Sequence, residues 1–166
     1  RLNLSVGNAV VYSDQYINPA YFIPVFFYKS VDHSYFGMTN SGGQNSMMFL
    51  DFSNRLIKNM HMYYSMFIDV MSFSTLFDRD HHANHWSMLG GIRYSNLLPN
   101  TTVTLEYVRN HPLVYKNDNL TTLYNSNWYN LGHYLGDNAQ EFYVAVDVRP
   151  WKTLHLQAWF SLAQKG

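Results

Sequence analysis

A period of two in hydrophobicity runs through most of the chain and limits what it can fold into. In 60–71 the even positions are Met60, Met62, Tyr64, Met66, Ile68 and Val70, while the odd positions include His61, Tyr63, Ser65 and Asp69. Successive side chains of a strand point to opposite faces, so such a segment predicts a strand with one apolar and one polar side. Segment 85–95 repeats the pattern, with Trp86, Met88, Gly90, Ile92 and Tyr94 against His85, Ser87, Gly91, Arg93 and Ser95. In 102–109, Val103, Leu105 and Tyr107 oppose Thr102, Thr104 and Glu106. Phe142, Val144, Val146 and Val148 oppose Glu141, Tyr143, Asp147 and Arg149; Leu154, Leu156, Ala158, Phe160 and Leu162 oppose Thr153, His155, Gln157 and Ser161. Segment 46–54 fits less tightly, a strand is expected near 7–12, and 16–36 is ambiguous because Pro19 and Pro24 interrupt any ladder.

The connections alternate as well. Short turns fall near 53–59, 95–100 and 149–152, and long polar or aromatic loops near 37–45, 73–84 and 110–138. Strands of about ten residues, joined by short turns at one end and long loops at the other, predict an all-β, antiparallel transmembrane β-barrel, or a fragment of a larger one, with long extracellular loops. Hydrocarbon offers no hydrogen bonds, so a sheet spans it only by closing on itself. Trp86, Tyr94, Tyr107, Trp151 and Phe160 are placed near strand ends, where interfacial aromatic girdles sit. No spanning helix is expected, because the longest apolar run, 20–28, contains Pro24 and a helical span needs about 20 such residues. A soluble β-sandwich also alternates. Against it stands a charged fraction of only 13 %, about half that usual in soluble domains, beside 17 % aromatic residues. Equal totals of 11 basic and 11 acidic residues argue against a basic face for nucleic acid, and the absence of cysteine excludes disulfides and thiolate chemistry.

The run Leu105-Glu106-Tyr107-Val108-Arg109-Asn110-His111-Pro112-Leu113-Val114-Tyr115 is followed by Tyr124, by Leu131-Gly132-His133-Tyr134-Leu135-Gly136-Asp137-Asn138 and by Glu141. Upstream stand Tyr28-Lys29-Ser30-Val31-Asp32-His33 and Met66-Phe67-Ile68-Asp69. Together these resemble the capsule-assembly Wzi-like outer-membrane proteins of Bacteroidetes, some of which are associated with gliding motility. The resemblance covers about residue 18 to the end. It implies a larger β-barrel of which 1–166 is a carboxy-terminal part, residence in the bacterial outer membrane, and a role in attaching or organising surface capsular or exopolysaccharide. The alternative is a structural or partner-binding barrel within a secretion or gliding-motility envelope complex. Outer-membrane barrels commonly finish on an aromatic residue, whereas this chain finishes Ala163-Gln164-Lys165-Gly166, which adds to the expectation of a longer parent barrel.

Two residue sets carry the candidate sites. Asp51, Asp69, Arg93, Glu106, Arg109, Glu141, Asp147 and Arg149 are expected on the lumenal face as a network of salt bridges and hydrogen bonds, since such charges are tolerated inside only when paired. A ligand-guiding or permeation role is the alternative for the same residues. In the loop 110–138, His111, Tyr115, Tyr124, Trp128, Tyr129, His133 and Asp137 are the candidate glycan ligands. Rings offer flat apolar faces to sugar C–H groups, while His and Asp give directional hydrogen bonds to hydroxyls. The alternative there is a loop that packs on itself over the barrel mouth. Asp78, Asp80, His81, His82 and His85 have no closed zinc spacing, and Asp32-His33 lacks a nucleophile elbow, so no catalytic, cofactor or metal residue is expected. The expected partners are the outer-membrane lipid bilayer, surface polysaccharide and other envelope proteins.

Overall fold

The computed structural model describes residues 1–13, 16, 19–23, 28, 44–70, 85–117 and 119–166. Its long strands are β1 (Leu2–Tyr12), β2 (Gln44–Asn54), β3 (Met60–Val70), β4 (His85–Ser95) and β5 (Thr101–Asn110), followed after two short strands, β6 (Asn125–Ser126) and β7 (Tyr129–Asn130), by β8 (Ala139–Trp151) and β9 (Leu154–Lys165). The long strands form one seven-stranded sheet in the order β1-β2-β3-β4-β5-β8-β9, and every neighbouring pair is antiparallel. The protein is therefore all-β with a meander topology. Each segment with clean alternation is a strand, and 85–95 has the predicted limits.

Tight turns link β2 to β3, β4 to β5 and β8 to β9, all at one end of the sheet. Asn59, Asn96 and Asn100 take positive φ of 63°, 62° and 57° there, a conformation asparagine tolerates better than other side chains with a Cβ. Pro150 cannot donate to a ladder, and the β8–β9 register shifts between Val148 and Trp151 around it. The long connections leave from the opposite, loop-side end. Those expected near 37–45 and 73–84 lie outside the described residues apart from the start of β2, as do Asp32-His33 and all of the 78–85 cluster but His85.

The register sorts the side chains by face. One row across the sheet reads Leu4, Phe52, Tyr64, Gly90, Tyr107, Phe142 and Leu162; the next towards the turns reads Leu2, Asn54, Met62, Ile92, Leu105, Val144 and Phe160. The opposite face carries Ser5, Asp51, Ser65, Leu89, Val108, Glu141 and Ala163 in one such row. On that polar face glycine makes room for rings. A Cβ on Gly7 would lie 2.1 Å from the Phe49 ring, and one on Gly91 would lie 2.4 Å from Tyr63. Each ring lies over its neighbour strand and fills space that no side chain occupies there.

Three expectations change. The ladder starts at β1 and ends at β9, and no pairing joins these two among the described residues, so of the two expected forms, a closed barrel or a fragment of a larger one, the described sheet does not have the closed form. Phe160 pairs with Val144 in the middle of the apolar face, not at a girdle. The sandwich alternative lacks its second layer: among the described residues no sheet covers the apolar face, where Phe142 is 45 % and Leu156 53 % exposed.

Candidate functional site

The described part of the β5–β8 connection, 111–117 and 119–138, is built as a cap. At its base the Asn138 amide donates to the His111 carbonyl (3.1 Å), and Asn110 Nδ2 donates to the Gly136 carbonyl (2.5 Å). Val114 and Tyr115 are buried inside. Tyr115 stacks near Tyr124 with centroids 6.1 Å apart, and Phe67 of the polar face meets both rings at 5.1 and 4.9 Å. Gly132 lies flat on Tyr115, where an added Cβ would come within 2.4 Å of the ring. Leu113 and Tyr115 hold positive φ of 64° and 70°, a strained geometry for such side chains; Tyr115 is held in it by burial, whereas Leu113 is exposed. The cap reaches across the sheet. Asn45 of β2 donates to the Thr122 carbonyl (3.3 Å), and Lys165 of β9 donates to the Leu135 carbonyl (3.1 Å).

The far end of the cap docks on Glu141. Tyr134 donates its hydroxyl to Glu141 Oε1 (2.6 Å), Ser161 donates to the same oxygen, and His133 Nε2 lies 3.6 Å from Oε2. The His133 amide also donates to the Tyr115 hydroxyl (3.3 Å), tying the docking point to the buried stack. Below them opens a cleft of about 480 Å³ between Leu89, Glu106, His133, Tyr134, Glu141 and Trp159. Burial lowers the His133 imidazole from its ordinary value, against the opposing pull of Glu141 and Glu106. Tyr134 is raised by its bond to Glu141 and then by desolvation, and Tyr115 is raised chiefly by burial. For Asp137 burial pushes upwards, but the bond and charge of Lys116, 2.7 Å away, hold the carboxyl below the usual range.

The lumenal set is placed on the polar face with one correction. Asp51 accepts from Ser65 (2.6 Å), Glu106 from Tyr63, and Asp147 lies 3.3 Å from His155 Nε2. Arg93 donates to Thr104 (3.2 Å), Asp69 is buried, and Arg149 is exposed at the turn end with its amide on the Asn100 carbonyl. Of the expected network of salt bridges and hydrogen bonds, the contacts of Asp51, Glu106 and Asp147 are with hydroxyls and an imidazole. Arg109 is not lumenal. It pairs with Met88 and Gln140 in the row of the apolar face, because 105, 107 and 109 share one parity.

The glycan set is divided. Trp128 (100 % exposed) and Tyr129 (79 %) stand on the β6–β7 hairpin, whose turn residues Asn127 and Trp128 both have positive φ. Tyr115 is corrected from ligand to packing residue by its burial, and Tyr124 belongs to the same stack. Asp137 is engaged by Lys116, His133 by Glu141, and His111 stacks on Trp86 with centroids 3.8 Å apart. Ser161, Tyr63 and Tyr134 are the partners that the strand pattern alone does not reveal. Only the register, which sets Ser161 opposite Tyr143 and Tyr143 opposite Glu106, brings these polar groups together.

Among the described residues no helix is long and apolar enough to cross a membrane, and no group of metal-ligating side chains is found. Compared with protein-family models, curated proteins and solved structures, the chain matches none.

Proposed function

We propose that the sheet is part of the wall of an outer-membrane β-barrel that attaches or organises surface polysaccharide at its loop-side end. The carrying observation is the segregation of the two faces. Leu4, Leu105, Phe142, Leu156, Phe160 and Leu162 stand exposed on one side, while the charges of the long strands lie on the other, Arg109 excepted. Monomeric soluble proteins rarely leave apolar patches of more than a few hundred Å² uncovered. Moving a large apolar side chain out of water gains roughly 1.5–3 kcal/mol, so acyl chains are the natural cover. Open edges are not tolerated in hydrocarbon, so this reading requires further strands beside β1 and β9. The polysaccharide reading rests on the family resemblance of the sequence together with Trp128 and Tyr129, the rings of the candidate set that the cap leaves free to stack on sugar.

The test is a Trp128→Ala/Tyr129→Ala variant of the intact protein in cells. It should remain in the outer-membrane fraction, migrate as a folded barrel on unheated gels, and lose most surface-polymer retention. Retention equal to wild type removes the polysaccharide reading, and an envelope complex co-purifying with the intact protein would then favour the partner-binding alternative. Recovery of the unaltered protein in a soluble fraction removes the membrane reading itself.

A further inference from the structure

We infer that the loop-side rim of the apolar face holds a binding site for the phosphate of a membrane lipid, centred on Arg109. Among the described long strands Arg109 is the one charged residue on the apolar face. Its row runs Val6, Leu50, Met66, Met88, Arg109, Gln140 and Gln164, turning from aliphatic to polar at β5. The side chain is exposed, and among the described residues no carboxylate pairs with it. Its neighbour is the Gln140 oxygen at 3.4 Å, which Tyr107 already engages at 3.2 Å, while Gln140 donates to Gln164 at 2.8 Å. One long bond leaves most of the five guanidinium donors unused. Beside the guanidinium lies a hollow of about 160 Å³ between Arg109, Pro112, Asn138, Gln140 and Gln164.

The surroundings select the ligand. Planar guanidinium donors match phosphate oxygens, and the flanking amides add neutral donors. The adjoining row towards the turns holds Tyr107, Phe142 and Leu162, all exposed, with two aromatic rings and an aliphatic side chain as their surface. A free phosphate has nothing to place against those three side chains. A lipid whose phosphate sits at Arg109 lays its acyl chains along them. A charged side chain near the end of a spanning strand is also placed where long cationic chains reach the headgroups.

This inference rests on the membrane reading proposed above, and its test separates the two. The intact protein in non-ionic detergent is mixed with short-chain phosphatidic acid, with the matching diacylglycerol, or with inorganic phosphate, and bound ligand is counted by native mass spectrometry. Phosphatidic acid should bind, and diacylglycerol and inorganic phosphate should bind at least tenfold more weakly. Arg109→Ala should weaken phosphatidic acid about tenfold, the size of one charge-assisted bond, and Arg109→Lys should restore part of that loss. Equal binding of diacylglycerol, equal binding of inorganic phosphate, or an Arg109→Ala protein that binds as wild type overturns the site. Folding of each variant is checked by gel mobility, with Arg109→Gln standing in should the alanine variant fail. Insertion into phosphatidylcholine vesicles is measured in parallel. Failure of the wild type to insert sinks the membrane reading, whereas insertion without phosphate selectivity sinks only the Arg109 site.

Discussion

The two faces of the sheet use the same strands and opposite physics. The apolar face has few polar contacts within the chain, those of Tyr107, Arg109, Gln140 and Gln164 at its loop-side rim. Its large side chains lie side by side in rows, and Leu105, Phe142 and Phe160 remain exposed. The polar face is specific: Asp51, Glu106 and Glu141 each accept from a named hydroxyl, and glycine is placed under Phe49 and Tyr63. One face is therefore apolar and uncovered among the described residues, and the other is defined by contacts within the chain. A substitution should be judged by its face before its chemistry.

The strongest way to break that contrast is to put the same charge on both sides. Val144 lies mid-face between Leu105 and Phe160, whereas Gln157 is exposed on the polar face opposite Asp147. In lipid vesicles Val144→Arg should cost about 2–4 kcal/mol, the range for a cation on a lipid-facing strand near mid-depth. Gln157→Arg should stay within about 0.5 kcal/mol, as exposed substitutions do. Urea midpoints of the two variants in the same vesicles decide the matter, and equal costs would mean that the faces are not lipid and interior.

A smaller effect is expected where the polar face meets its cap. Gly132→Ala places a methyl against the Tyr115 ring at a distance no packed Cβ tolerates. The cap should loosen by about 1–3 kcal/mol, the usual cost of overpacking, while the sheet keeps its strands. Limited proteolysis should then cut 111–138 faster with no change in β-sheet circular dichroism. Unchanged cleavage would show that the Tyr115 stack does not hold the cap.

The strands were legible in the sequence because parity is local. Met60 to Val70 announces its faces without knowledge of any neighbour, and the register kept every such assignment that parity supports. Arg109 shows the same rule from its other side. Its parity with Leu105 and Tyr107 already marked it as outward, and grouping it by charge concealed this. The cap was not legible. Tyr115 and Trp128 are both aromatic residues in a polar loop, and nothing local separates a ring at the centre of a stack from one at a hairpin tip. That difference arises from Phe67, some fifty residues away in sequence, and from the space left by Gly132. The Glu141 docking point was hidden for the same reason, since Tyr134 and Ser161 reach it from either side of the chain.

The cap should also respond to acid, more weakly than to Gly132→Ala. Two of its side chains have lowered pKa values: His133, mainly through burial, and Asp137, where Lys116 outweighs burial. A group whose folded pKa is depressed contributes stability above its unfolded pKa and loses it as pH falls through the folded value. For His133 the contribution is complete above its ordinary value of 6.5 and declines below it, because the opened loop takes up the proton first. Asp137 adds a second decline below its ordinary 3.8, when protonation removes the charge facing Lys116 and Lys165. Both steps have the same sign, so amide hydrogen exchange in 111–138 should quicken as pH drops below about 6.5, after correction for the intrinsic rate, and quicken again below about 4. Glu141 and Glu106 face His133 and moderate the first step by favouring its charged form. His133→Gln should abolish the first step and leave the second. A variant that still loosens near pH 6 would place the sensitive group elsewhere on the polar face, and the cap would then be coupled to the sheet more deeply than its Glu141 contact implies.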